Sequence, residues 1–342
     1  MVDLKLLHEL MYIFGPSGNE GKIREFIKKQ IKPYVDDIKV DSLGNLIAHK
    51  KGDSPRVMLA AHMDEIGIMI KSIDAQGRIY FSPVGGIQPI VLLGEIVHIY
   101  AKKREIHGVI TTDIMSADED IAQLPKLSEM YVDTGLSLKE LKALGVEIGS
   151  YLNLEQKKGP LLGNKNIISG KALDDRVGCY ILIELIKKLK NTKNEIYFAF
   201  TVQEEVGLYG AKTSAYRIEP EWAIAIDVTS ADDMMTKPTV TLGAGPCITI
   251  KDADMLSNKC INGWFEDIAK AKKIPLQLQV SDFGTTDAMT IIISKGGVSA
   301  TVLSVGVRNL HSTISIVHRE DIDNAIKLLY ELMKKPPKVC LV

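Results

Sequence analysis

From about residue 163 onward, apolar runs of strand length alternate with amphipathic runs of helix length, and that alternation limits the possible folds more than any other feature of the chain. The pattern predicts helices over 176–190, 257–273, 285–294 and 320–334, and strands over 195–202, 222–228, 275–281 and 298–305. Strands separated by long helices make an α/β fold, with a central, mostly parallel sheet flanked by helices. Two amphipathic helices open the chain, over 3–14 and 19–31, and the second sets Ile23, Phe26, Ile27 and Ile31 on one face. A strand RVMLAA follows at 56–61.

Between residues 65 and 163 the texture changes. Short β-like runs (IGIMIKSI, RIYFSPV, EIVHIYA, HGVITTDI) are broken by Gly, Pro and charged turns, and no helical period returns until LSLKELKAL. This stretch interrupts the α/β pattern and reads as an inserted small β-rich domain. The expected organisation is residues 1–64 and 164–342 in one α/β domain with 65–163 inserted between them. A chain of 342 residues is long enough for two hydrophobic cores.

Charge narrows the partners. Lys and Arg together number 42 against 43 acids, for a net charge of −1, so there is no basic excess with which to bind nucleic acid or an anionic membrane. No apolar stretch reaches bilayer-spanning length. The start, MVDLKLLHELMYIF, mixes acids among its apolar residues and lacks the basic region and uninterrupted apolar core of a signal peptide, so a cytoplasmic location is expected. Cys179, Cys247, Cys260 and Cys340 show no CxxC spacing, which argues against a thiolate metal site or a disulfide framework and for small core residues and a free terminal thiol.

Several strand-like runs share an ending. RVMLAAHMD stops on His62 and Asp64, YFAFTVQEE on Glu204 and Glu205, and WAIAIDV on Asp227, while SATVLSVGVRNLHS reaches His311 just past its strand. KALDDRVG places Asp174 and Asp175 before a helix, with Asp175 suited to capping it and Asp174 free to point elsewhere. In open α/β sheets ligands bind beyond the carboxyl ends of the strands, where these side chains would converge. Uncompensated, that many carboxylates in one cleft are costly, and a pair of divalent cations would neutralise them. Mixed imidazole and carboxylate donors suit zinc or cobalt, with manganese compatible, better than magnesium or calcium. An acid two residues beyond His62 can take the proton of its second ring nitrogen. His8, His49, His98, His107 and His318 read as surface or structural residues, and Arg308 as either a substrate contact or a surface arginine. TLGAGP at 241–246 lacks the third glycine of a dinucleotide fingerprint, and no nucleophile elbow accompanies the serines.

Together AAHMDEIG, KALDDR, TVQEEVGLYGA, AIAIDVT, GTTDA and LHS resemble the M42 family of dinuclear metallo-aminopeptidases, the tetrahedral TET peptidases. The likeness runs from GPSGNE at 15–20 and DSLGNLIA at 41–48 to the C-terminal helix. It implies His62, Asp174, Glu205, Asp227 and His311 as ligands of two divalent metal ions per subunit, Asp174 as the bridge between them, Glu204 as general base and Asp64 as the acid orienting His62. It also implies that 65–163 is a dimerisation domain and that dimers assemble into a hollow tetrahedral dodecamer. Members often carry a KPPH-like stretch where this chain has TTDIMSADED. The implied substrates are peptides with a free N-terminus, and an acid-rich cleft favours their α-ammonium. A carboxypeptidase or N-acyl amino acid deacylase would use the same metal centre, and a non-catalytic metal-binding scaffold would need no base at Glu204.

Overall fold

The structure, a computed structural model, describes residues 2–102, 104–113, 124–155, 162–190 and 192–338. The chain divides into two compact units: Met1–Asp64 with Gly159–Leu310 and Ile314–Val342, and Glu65–Lys158 with His311–Thr313.

The first unit is built on a ten-stranded mixed sheet. Its main path runs Asp37–Val40, Leu46–Lys50, Asn194–Thr201, Asp53–His62, Trp222–Ser230, Ser299–Arg308, Cys247–Lys251 and Gln277–Val280. The four strands Asn194–Thr201, Asp53–His62, Trp222–Ser230 and Ser299–Arg308 are mutually parallel, whereas Leu46–Lys50 and Cys247–Lys251 join them antiparallel on either side. This parallel centre with flanking helices is the α/β class the alternation calls for. Because successive side chains on a strand face opposite ways, Val57, Leu59 and Ala61 belong to one core and Met58 and Ala60 to another. The first core holds the buried face of the helix Leu173–Lys188, including Ile181, Leu182 and Leu185; the second holds Ala211 and Ala215 of the helix Tyr209–Ile218. Burial on both faces is why these strands read as continuous apolar runs.

The helix Tyr209–Ile218 has no counterpart among the helices expected from sequence. Its buried stripe is Gly210, Ala211, Ser214, Ala215 and Ile218. That spacing is helical, but the side chains are too small to register as an apolar face. A Cβ at Gly210 would lie 2.4 Å from the Val202 carbonyl and from Asn45 Oδ1, so the helix start packs on backbone that only glycine admits.

The second unit is a closed six-stranded antiparallel barrel, in the order Gly67–Ile73, Ile79–Val84, Met130–Asp133, Glu105–Thr112, Ile96–Tyr100, Tyr151–Leu154. Ile68, Ile70, Ile79, Phe81, Val97, Ile99, Ile110, Val132 and Leu152 fill it. LSLKELKAL supplies the helix Leu138–Leu144, opened by a capping box between Ser137 and Glu140 and closed by Gly145 at φ 83°. Most of TTDIMSADED lies outside the described residues.

Among the described residues no helix is long and apolar enough to cross a membrane. Cys179 and Cys247 are free and buried. Cys260 is disulfide-bonded, contrary to the reduced thiol expected from its spacing. Cys340 lies outside the described residues.

A fully buried cation holds the N-terminal helix. Arg176 donates to the carbonyls of Leu10 and Ile13 at the C-terminal end of the helix Leu4–Tyr12, and its Nε donates to the Met63 carbonyl at 2.9 Å. The helix has no basic residue in its own last turn, so a distant arginine satisfies carbonyls that its end leaves without intrahelical partners. Arg176→Met strands those carbonyls in an apolar setting and is expected to lower stability by about 3 kcal/mol or more. A urea midpoint equal to that of the native chain would contradict this role.

Candidate metal centre

Four elements deliver polar side chains to one end of the parallel strands. His62 closes the strand Asp53–His62, opposite Thr201 in register, so the chain leaving Thr201 carries Glu204 and Glu205 past it. Asp227 sits in the next strand, Trp222–Ser230. Asp174 and Asp175 open the helix Leu173–Lys188 with non-helical backbone angles, and the peptide between them is cis.

His62 is the hub. Its Nε2 lies 2.9 Å from Asp174 Oδ1 and 3.9 Å from both Asp227 Oδ1 and Glu204 Oε2. Among the described residues, two groups at this end of the sheet place ligand atoms within 4.8 Å of one another: His62, Asp174 and Glu205, and His62, Asp175 and Asp227. Glu204 is in neither group. His311 is in neither group as well; it takes φ 57° in the short segment that packs with the barrel unit, where a Cβ on Gly86 would come within 2.8 Å of its Nδ1.

Asp64, entirely buried, does more than face the imidazole. His62 Nδ1 lies 3.2 Å from the Asp64 carbonyl and 3.5 Å from its carboxylate. The carboxylate also accepts the backbone N–H groups of Glu204 at 3.1 Å and Glu205 at 3.2 Å, and the Ser17 hydroxyl at 2.6 Å. One anion therefore fixes the imidazole and the turn bearing both glutamates. Burial pulls the Asp64 carboxyl upward, but His62 and these donors hold it below its usual range.

The remaining acids are pushed the other way. Burial raises Glu204 well above the carboxylate range, with Asp227, Asp287 and Glu205 adding repulsion against the pull of His62. Asp227 is pushed up to about 8 by burial, which His62 opposes and Asp174 reinforces. Burial and the charge of Asp227 raise Asp175 as well. Burial alone would lower His62, yet Glu204 and Asp174 keep it well above its ordinary value. The cleft thus gathers more carboxyl groups than its one imidazole can keep ionised.

Sequence alone suits Asp175 to capping the helix, and the structure gives it more to do. Its Oδ1 does accept the Gly178 N–H at 2.8 Å, but Oδ2 is buried with no hydrogen-bond partner among the described residues, and the same carboxyl group belongs to the second ligand group. Asp287, in GTTDA, is a further buried member: Thr201 donates to its Oδ2 at 2.5 Å, Oδ1 is unpartnered among the described residues, and burial lifts it to about 6. Adjacent acids in KALDDR were the available signal for the first, and the motif GTTDA, which carries part of the resemblance, was the signal for the second. Arg308 is an ion-pair partner, donating to both Asp233 oxygens at 2.7 Å.

Buried carboxylate oxygens lacking donors, an imidazole nitrogen and surplus carboxyl groups in one cluster fit divalent cations of the zinc class. His62, Asp174, Glu205, Asp175 and Asp227 carry the fitting atoms.

The profile of the M42 glutamyl aminopeptidase family matches residues 44–328. A putative aminopeptidase from Acetivibrio thermocellus is 42% identical over 95% of this chain and 97% of its own length. The lysyl aminopeptidase of Pyrococcus furiosus is 34% identical over 98% of both chains. Among solved structures, the TET1 peptidase of Pyrococcus horikoshii, described as able to assemble into a tetrahedron or a large octahedral shell, superposes with a TM-score of 0.88 at 34% identity, covering 96% of this chain and 98% of its own.

Proposed function

Because this chain belongs to the M42 aminopeptidase family, a family of hydrolases, we propose that it removes N-terminal residues from peptides with a dinuclear metal centre at the strand ends. The observation that carries this reading is the paired clustering of acids around His62, with Glu204 within 3.9 Å of the same imidazole nitrogen but outside both ligand groups.

His62, Asp174, Glu205 and Asp227 would hold the ions in this proposal, with the bridging role of Asp174 and the part of His311 carried by the sequence resemblance alone. Such a pair of cations would supply water activation and polarisation of the scissile carbonyl at these residues. Glu204 then has the work of a general base: it accepts the water's proton and returns it to the departing amine. Its position suits the task, since the carboxylate lies 3.9 Å from His62 Nε2 yet belongs to neither ligand group and is left to handle the proton. Asp64 keeps that carboxylate in place through the Glu204 N–H. The acids not engaged by metal favour a substrate's α-ammonium over a carboxylate, which selects the amino end of a peptide.

A chain freed of metal by chelation and resupplied with zinc, cobalt or manganese should hydrolyse aminoacyl p-nitroanilides and leave N-acetyl amino acids intact. Hydrolysis of the blocked series instead would make it a deacylase on the same centre. The family's description and the Pyrococcus furiosus relative carry different specificities in their names, glutamyl and lysyl.

The 65–163 segment is proposed as the dimerisation domain of a dodecameric particle, supported by the assembly ascribed to the Pyrococcus horikoshii relative. Light scattering should give a mass of many chains for the native protein and a much smaller one when 65–163 is replaced by a short Gly/Ser linker. An unchanged particle mass would place the assembly contacts elsewhere. An enclosed particle would admit thin, unfolded peptides and exclude folded proteins.

A further inference from the structure

The barrel carries a second cluster of metal-ligand side chains. His98 lies on the strand Ile96–Tyr100 and faces His107 directly across the antiparallel pairing with Glu105–Thr112. Glu105, two residues before His107, emerges on the same outer face, while Val97, Ile99 and Ile106 between them point into the barrel core. The register that closes the barrel therefore stacks two imidazoles and a carboxylate on its outside.

Their ligand atoms converge. His107 Nε2 is 3.1 Å from His98 Nδ1 and 3.7 Å from Glu105 Oε1, and His98 Nδ1 is in hydrogen-bond contact with Glu105 Oε1. Donors around a tetrahedral zinc ion, at bond lengths of about 2.0–2.1 Å, lie roughly 3.3 Å apart, so these separations bracket what one ion requires. The rings are nearly perpendicular, at 85° with centroids 4.3 Å apart, which lets both nitrogens aim at a common point without stacking. Glu155, just past the strand Tyr151–Leu154 on the other side of His98, places Oε1 4.0 Å from His98 Nε2. A carboxylate on that side adds negative charge behind the ring, which favours a cation on the opposite nitrogen.

We propose that His98, Glu105 and His107 form a site for one divalent zinc-class ion, separate from the strand-end centre, with the Glu155 carboxylate beside the far nitrogen of His98. Two imidazoles and one carboxylate leave coordination positions open to water, and in the single chain the side chains are 23%, 42% and 59% exposed for His98, Glu105 and His107. Occupied, the site would tie the two strands together across their pairing. The pair gives no such signal in sequence, because residues 98 and 107 meet only through strand register.

The test is equilibrium dialysis of the native chain and of the His98→Ala/His107→Ala variant against micromolar zinc chloride, with bound zinc read by mass spectrometry. The native chain should retain one ion per chain more than the double variant, and both should hydrolyse an aminoacyl p-nitroanilide at the same rate, since neither histidine belongs to the proposed catalytic cluster. Glu105→Gln keeps the side chain's size and surface position and should lose the same ion. Equal zinc in all three proteins would overturn the site and leave a hydrogen-bonded cross-strand pair. The comparison is a difference between variants, so it stands whether or not the strand-end centre holds two ions.

Discussion

Glu204→Gln should leave bound metal and particle mass as in the native chain while turnover falls by about 10²- to 10⁴-fold, the range typical of losing a general base. The amide preserves the size of the side chain, and the Glu204 N–H keeps its bond to Asp64, so the turn that carries both glutamates should not move. What disappears is the proton acceptor. Glu205→Gln is the informative partner: Glu205 belongs to a ligand group, so its loss should weaken metal retention, and excess cation should restore part of the activity. Glu204→Gln should not respond to added cation. Metal loss in the Glu204 variant with retention in the Glu205 variant would exchange the two roles.

Asp174→Asn should strip metal from both positions. Asp174 lies 2.9 Å from His62 Nε2 and is the proposed bridge, and a neutral amide both donates poorly to a cation and removes the charge that holds two of them together. Activity should fall to background, with the fold retained, because Asp174 is in an irregular helix opening and not in the apolar core. Two ions per chain with normal turnover would remove Asp174 from the centre. The same substitution at Asp175 separates capping from binding: Asp175→Asn retains an oxygen to accept from Gly178, so any metal it loses reports on the buried second oxygen.

The strong periodic elements were legible because their physics is local. Trp222–Ser230 and Ser299–Arg308 are buried along nearly their whole length and read as apolar runs; Arg319–Met333 buries Ile322, Ala325, Ile326 and Leu329 on one helical face. Ligand-type residues at strand ends were legible for the same reason, since a core strand must terminate where polar groups become tolerable. Three kinds of feature were not. The helix Tyr209–Ile218 packs through glycine, alanine and serine, which carry almost no hydrophobic signal. The closed barrel depends on pairing its last strand, Tyr151–Leu154, with its first, Gly67–Ile73, a contact that short alternating runs do not specify. The double service of Asp64, holding both glutamate N–H groups as well as facing His62, depends on Thr201 and His62 standing side by side in register. Adjacent acids such as Glu204 and Glu205 gave different tasks by resemblance; the structure adds that one anion positions them both.

The dinuclear reading is tested most directly by titrating the metal-stripped His98→Ala/His107→Ala chain with cobalt and following hydrolysis of one aminoacyl p-nitroanilide beside its N-acetylated form. Removing the barrel histidines leaves the strand-end centre as the place where counted ions act. The expected result is no turnover without metal, a rise that saturates at two ions per chain, and cleavage of the free-amine substrate alone. Full activity in the metal-free chain, or saturation at a single ion, would contradict the account.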